Sequence, residues 1–230
     1  MKPQLKQLAR TVLLILPVSV ALAQQPTVQE RVVALKASLT ASQAILKQYE
    51  WVETTVVSLK GQEKSRQMDR CYYGADGNVQ RIPLTRPAPA AKKRGLRGRI
   101  AEAKKEQLTD SMKAAVALVK DYVPPEPVLI QKAKDASKVT VQPLPGQKAR
   151  LTFSDYLKPG DSLALDLDLA SNRPLSVKVN TYLDTKTDAV TLDVRFNTLD
   201  NNATYASAVS LTSPTKDLKV TVEKSGYRRM

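Results

Sequence analysis

Apolar positions recur with two different periods along this chain, and the change of period organises it. Over 28–50 the period is helical. Val28, Val32, Leu35, Leu39 and Leu46 gather into one stripe, beside a polar stripe of Gln29, Lys36, Thr40, Gln43 and Lys47. Ala34, Ala37, Ala41 and Ala44 fill much of the remaining surface, where a neighbour can approach closely. From Trp51 the texture turns β-branched and extended, through Val52, Thr54, Thr55, Val56 and Val57. Gly61-Gln62 breaks that run, and Lys64 to Tyr73 predicts a second strand. A turn at Gly74-Ala75-Asp76-Gly77-Asn78 and a short third strand over Val79 to Leu84 follow.

The middle of the chain is irregular. Arg86-Pro87-Ala88-Pro89-Ala90-Ala91 predicts a linker or extended loop. Ile100 to Val123 is helical in pattern, with Leu108, Met112, Val116, Val119 and Val123 as its inner side, and Pro124-Pro125 stops it. A shorter helix is predicted from about Pro127 to Ser137, with Val128, Ile130 and Ala133 facing inward.

From Val139 to the end the period is two. Ala149, Leu151 and Phe153 alternate with Arg150, Thr152 and Ser154. The same holds for Leu163 to Leu169 at every second position, for Leu175, Val177 and Val179, for Val190 to Phe196, and for Leu218, Val220 and Val222. Short turn-rich pieces separate these runs, so the strands are expected to be antiparallel neighbours. Each has one apolar and one polar face, so one side of the sheet needs a cover, which the helices at 28–50 and 100–123 must supply. The predicted fold is α+β: a curved antiparallel sheet, an incomplete β-barrel, wrapped around the N-terminal amphipathic helix. A basic loop and helical insertion occupies about 85–138. No internal repeat is visible, which argues against a propeller or solenoid.

The first residues read differently. Lys2, Lys6 and Arg10 precede an apolar run from Thr11 to Leu22, and Ala21-Leu22-Ala23 offers a cleavage site before Gln24. The run is broken by Pro17 and is shorter than the roughly 20 apolar residues that cross a bilayer. A cleaved signal peptide over 1–23 is therefore expected, followed by a single exported domain over 24–230, periplasmic or secreted.

Composition narrows the chemistry. Histidine is absent, which removes His-based dyads and triads and nearly every His-containing metal site. The single cysteine, Cys71, cannot close an internal disulfide. The formal net charge is +14, so anionic partners are favoured electrostatically.

Asp166 and Asp168 share one face of a strand and could bind a cation or do acid–base work. The same pair fits the solvated face of an amphipathic strand, with Lys178 and Arg195 near. Cys71, in Arg70-Cys71-Tyr72-Tyr73, is expected to be a buried structural thiol. Ser213-Pro214-Thr215-Lys216 matches Ser-x-x-Lys without supporting motifs and is taken as chance. Asn202-Ala203-Thr204 is a sequon with meaning only in a glycosylating pathway. The basic run Lys92, Lys93, Arg94, Arg97, Arg99, Lys104 and Lys105 is offset only by Glu102. It is either a solvated loop or a contact for anionic envelope surfaces. Nucleic acid is disfavoured, because no aromatic residue interleaves with these charges.

The order of elements resembles the periplasmic lipoprotein-carrier and lipoprotein-receptor superfamily of the lipoprotein-localisation pathway. More locally, Tyr49-Glu50-Trp51-Val52-Glu53-Thr54-Thr55, Leu59-Lys60-Gly61, Cys71-Tyr72-Tyr73-Gly74 and Gly226-Tyr227-Arg228-Arg229 look like strings in a group of uncharacterised exported bacterial proteins. The superfamily resemblance implies an incomplete barrel lidded by helices around an apolar cavity. It transfers no lid or ligand-binding residue. Together these readings predict a non-enzymatic binding protein without catalytic residues, metal or cofactor, and with a lipid or other amphiphile between sheet and helices. The alternative is a structural or interaction protein of the envelope with a filled core.

Overall fold

A computed structural model describes residues 27–85, 110, 113–118, 121–123 and 125–230. The expected signal segment, the Pro-Ala linker and the seven basic residues Lys92 to Lys105 lie outside the described residues.

Helix α1 spans Val28–Leu46. Thr27 and Glu30 form a reciprocal capping box at its start, where each side chain satisfies the other's backbone N–H. The stripe read from the sequence is the buried one: Val32, Leu35 and Leu46 are buried, and Val28 and Leu39 pack against the core. The helix ends earlier than 50. Tyr49 and Glu50 instead pair with Arg229 and Arg228 in the sheet, so the extended run takes over before Trp51.

Ten strands follow: β1 (Tyr49–Leu59), β2 (Gln62–Tyr73), β3 (Val79–Pro83), β4 (Val139–Leu144), β5 (Lys148–Ser154), β6 (Ser162–Asp168), β7 (Arg173–Tyr182), β8 (Ala189–Thr198), β9 (Thr204–Ser213) and β10 (Leu218–Arg229). They form one antiparallel sheet in the order β3-β2-β1-β10-β9-β8-β7-β6-β5-β4, with β3 and β4 as its edges. The sheet is therefore open, an incomplete barrel as expected. Among the described residues, only the β1–β10 pairing joins distant parts of the sequence and carries the first hairpins onto the C-terminal run.

Strand β9 has no clean apolar alternation. Its Tyr205-Ala206-Ser207-Ala208 stretch contains an extra residue, because Arg195 faces Ala208 while Phe196 faces Ala206. Ser207 is thus bulged out, and its hydroxyl donates to the Arg195 carbonyl at 3.2 Å.

The main core lies against β5–β9. Leu151, Phe153, Leu163, Leu165, Val177, Val179, Val190 and Leu192 form its floor. Val32 and Leu35 of α1 and Ile130 and Ala133 of helix α2 (Pro127–Asp135) form its roof. Two inward assignments need correction. In the helical piece at 113–118, Val116 is 46% exposed, while Ala115 is buried and Leu118 packs on the core. In α2, Val128 is 78% exposed. In the insertion, Tyr122 is fully buried and hydrogen-bonded, and Ala115, Leu118 and Val123 join it on the core side while Val116 turns outward.

Candidate functional site

The inner face of β1, β2 and β10 lies beyond this core and carries a different set of side chains. Trp51 and Cys71 are direct cross-strand partners on it and are both buried. Beside Trp51 stand Tyr73, with ring centroids 5.5 Å apart, and Tyr227, stacked at 5.6 Å and 17°. Tyr205 of β9 reaches Tyr227 at 4.3 Å, and Tyr49 reaches it at 6.5 Å.

A local backbone device builds this cluster. Between Glu50–Arg228 and Val52–Ser225, β10 spends two residues, Gly226 and Tyr227, against the single Trp51 of β1. Gly226 takes φ +62°, the left-handed conformation that a glycine-type bulge uses. The extra residue changes the facing of the strand. Lys224 and Tyr227 are three positions apart, yet both line the same space.

That space is a cavity of about 140 Å3. Leu39, Gln43 and Leu46 of α1 close one side, and Trp51, Tyr73, Phe196, Tyr205 and Tyr227 supply most of the other. Thr204, Ala206 and Lys224 complete it. Helix and sheet are tied here by the Thr204 N–H, which donates to the buried Ser42 hydroxyl at 3.0 Å.

Two side-chain atoms of the lining residues are closed off from solvent and have no hydrogen-bond partner, the indole Nε1 of Trp51 and the Oγ1 of Thr204. Each such atom left unpaired costs about 1–3 kcal/mol. Lys224 places its Nζ 5.7 Å from the Trp51 ring centroid. Burial pushes its ammonium pKa down, and Glu53, directly across the strand pair, pulls it partly back. Glu53 is itself held by Arg81, whose guanidinium donates to it at 3.2 and 3.3 Å. Asp69, the next residue across on β2, accepts from the Gln67 amide at 3.0 Å.

The residues singled out from the sequence are placed as follows. Asp166 is gripped by Arg150 through two bonds at 2.7 and 2.8 Å and accepts from Ser176. Asp168 accepts the backbone N–H groups of Ala170 and Ser171 in the next turn. The two carboxylates therefore serve separate structural roles; Arg150, rather than Lys178 or Arg195, is the partner. Among the described residues no acidic or cysteine cluster could hold a metal ion. Burial pushes the Cys71 thiol up to about 11, in keeping with an inert, structural group. Lys216 reaches Asp188 at 3.4 Å rather than activating Ser213.

Sequence reasoning named no residue of the cavity as a site. The signal that could have found it was present as Tyr49–Thr55, Cys71–Gly74 and Gly226–Arg229, strings far apart in the chain that the fold brings together around Trp51.

No family model matches the sequence, and no curated protein matches it. Among solved structures, it is similar to a putative outer membrane lipoprotein-sorting protein domain from Vibrio parahaemolyticus, at 14% identity and a TM-score of 0.40, covering 88% of this chain and 92% of that one. It is also similar to a LolA superfamily protein from Nitrosomonas europaea, at 7% identity and a TM-score of 0.37, covering 85% and 93%. A DUF1329 family protein from Desulfovibrio piger matches at 10% identity and a TM-score of 0.33, covering 85% and 92%. The likeness is one of layout.

Proposed function

We propose that this chain is an exported, non-enzymatic binding protein that takes a lipid or other amphiphile between the sheet and α1. The observation that carries this reading is the aromatic cavity behind Leu39 and Leu46. An apolar enclosure with a few convergent polar groups is the usual form of a small-molecule site.

The volume limits what enters. A rigid apolar cavity of about 150 Å3 holds one benzene, whereas pockets that enclose a drug-sized molecule run from about 300 Å3 upward. The cavity therefore suits one compact apolar group or one end of a chain, with the remainder of the ligand outside. Equilibrium uptake of a fluorescent fatty acid tests the reading. Wild-type protein should bind it, and Ala206→Leu, which fills the cavity, should weaken binding at least about tenfold. Equal binding by both proteins would move the ligand elsewhere.

A second reading has its own support. Most of the space between sheet and helices is filled by packed side chains, as in an envelope structural or interaction protein. In that case the basic residues Lys92, Lys93, Arg94, Arg97, Arg99, Lys104 and Lys105 would make the contact, to anionic polymers or headgroups.

A further inference from the structure

From its place on the sheet we propose that Lys224 is a nucleophilic amine for carbonyl compounds: an alkyl aldehyde puts its tail into the cavity beside Trp51 and is held as an imine at Nζ. The inference rests on the cavity of the amphiphile reading above and adds a covalent bond to it.

Register puts Lys224 on the inner face of β10, directly across from Glu53 of β1. A lysine there would ordinarily pair with that carboxylate. Arg81 of β3 has taken it, at 3.2 Å, and Asp69, the next carboxylate along the row, accepts from Gln67. Among the described residues Lys224 has no carboxylate within 4.0 Å. Its Nζ lies 5.7 Å from the Trp51 ring centroid, and its side chain lines the same cavity as Leu39, Phe196 and Tyr227. Burial pushes its pKa down; Glu53 opposes the shift, and the Arg81 cation adds to it. Lysine amines become nucleophiles in this setting, desolvated at an apolar pocket and beside a second cation.

The bond change is closed in atoms and electrons. Nζ gives one proton to solvent, and its lone pair attacks the carbonyl carbon. The two remaining N–H protons leave with the carbonyl oxygen as water. A C=N bond replaces C=O without oxidant or reductant, and water reverses the step. Acyl transfer is the poorer match. It needs donors that hold an oxyanion, and the closed-off Trp51 N–H and Thr204 hydroxyl supply none.

Reductive trapping tests the proposal. The chain over 24–230 is treated with limiting octanal or propanal and with cyanoborohydride, which delivers hydride to the imine carbon. Peptide mapping then reads the label at each lysine. The α-amino group is left out of the comparison, because its pKa is low in any protein. Octanal should label Lys224 faster than every other lysine. Its lead over propanal at Lys224, relative to the other lysines, should be about tenfold or more, the effect of burying about two methylenes. Lys224→Arg should lose this label while keeping the melting temperature and the labelling of the other lysines. Ala206→Leu, which fills the cavity, should bring octanal down to the rate of propanal at Lys224. Label spread evenly, with Lys224 no faster than its fellows, or octanal without a lead over propanal, would overturn the capture of carbonyls. Uptake of the fluorescent fatty acid by the same preparation would then leave the amphiphile reading standing; without that uptake, both fail.

Discussion

The Tyr122 hydroxyl donates to the Asp161 carboxylate at 2.6 Å, and both residues are buried. Thr181 Oγ1 lies 2.7 Å from the same hydroxyl. Asp161 also accepts the backbone N–H groups of Tyr156, Leu157 and Lys158, so it closes its own loop while it anchors the end of the helical insertion. Burial and the Asp161 carboxylate together hold the Tyr122 hydroxyl far above its usual pKa, so it is a donor at neutral pH. Tyr122→Phe is expected to cost about 1.5–3 kcal/mol, the range for a hydrogen bond to a charged group. Asp161→Ala should cost more, because it also strands three backbone donors. Urea unfolding of the two variants measures both values.

The bulge at Gly226 gives a second test. Its φ of +62° is strained for any side chain, although an added Cβ would meet only Val52 Cγ2 at 3.9 Å. Gly226→Val should therefore act through the backbone, at a cost of about 1–3 kcal/mol, and loosen Tyr227 from Trp51. Trp51 is the only tryptophan in the sequence. Its emission should shift to the red in this variant, before global unfolding. Unchanged emission would mean that the bulge does not hold the aromatic cluster.

The Arg150–Asp166 pair sets an acid-side expectation. The Arg150 guanidinium beside Asp166 holds its carboxyl below the usual value near 3.9. A lowered folded pKa gives a contribution that is complete above the unfolded value and is lost as pH falls through the folded one. Arg150 is about half exposed, so the contribution is expected to be only about 0.5–1 kcal/mol. Arg150→Gln should be less stable than wild type by that amount at neutral pH. The gap should close progressively below about pH 4. A gap that widens on acidification would contradict the sign.

Cys71 should be silent in the folded protein. It is fully buried, and its thiol is pushed up to about 11, so little thiolate forms at mildly alkaline pH. A thiol reagent should modify it at the rate of unfolding and react at once in denaturant. Rapid modification of the native chain would show access that the fold denies.

The strands at β5–β8 and the stripe of α1 were legible because one periodicity dominated each segment, as in Leu163, Leu165 and Leu167 or Val32 and Leu35. The insertion was harder. Val116 and its neighbour Ala115 are both apolar, and the burial of Ala115 rather than Val116 goes with the hydrogen bonds of Tyr122 to Asp161, just before β6, and to Thr181 of β7. β9 escaped notice because Ser207 interrupts its alternation. The cavity is a product of register: Trp51, Tyr73, Tyr205 and Tyr227 come from four strands, and the bulge at Gly226 turns the last of them inward. A glycine inside a strand pattern marks such a bulge, but the residue it would face was fixed only by the long-range pairing of β1 with β10.

The central claim is that the space beside Trp51 receives a ligand. Native mass spectrometry of residues 24–230, purified gently and without detergent, tests it most directly. The expected result is a population heavier than the apo chain. Its added mass should be released by mild activation and should be smaller in amount for Ala206→Leu. A clean apo mass for the wild type, together with no uptake of added fluorescent fatty acid, would contradict it.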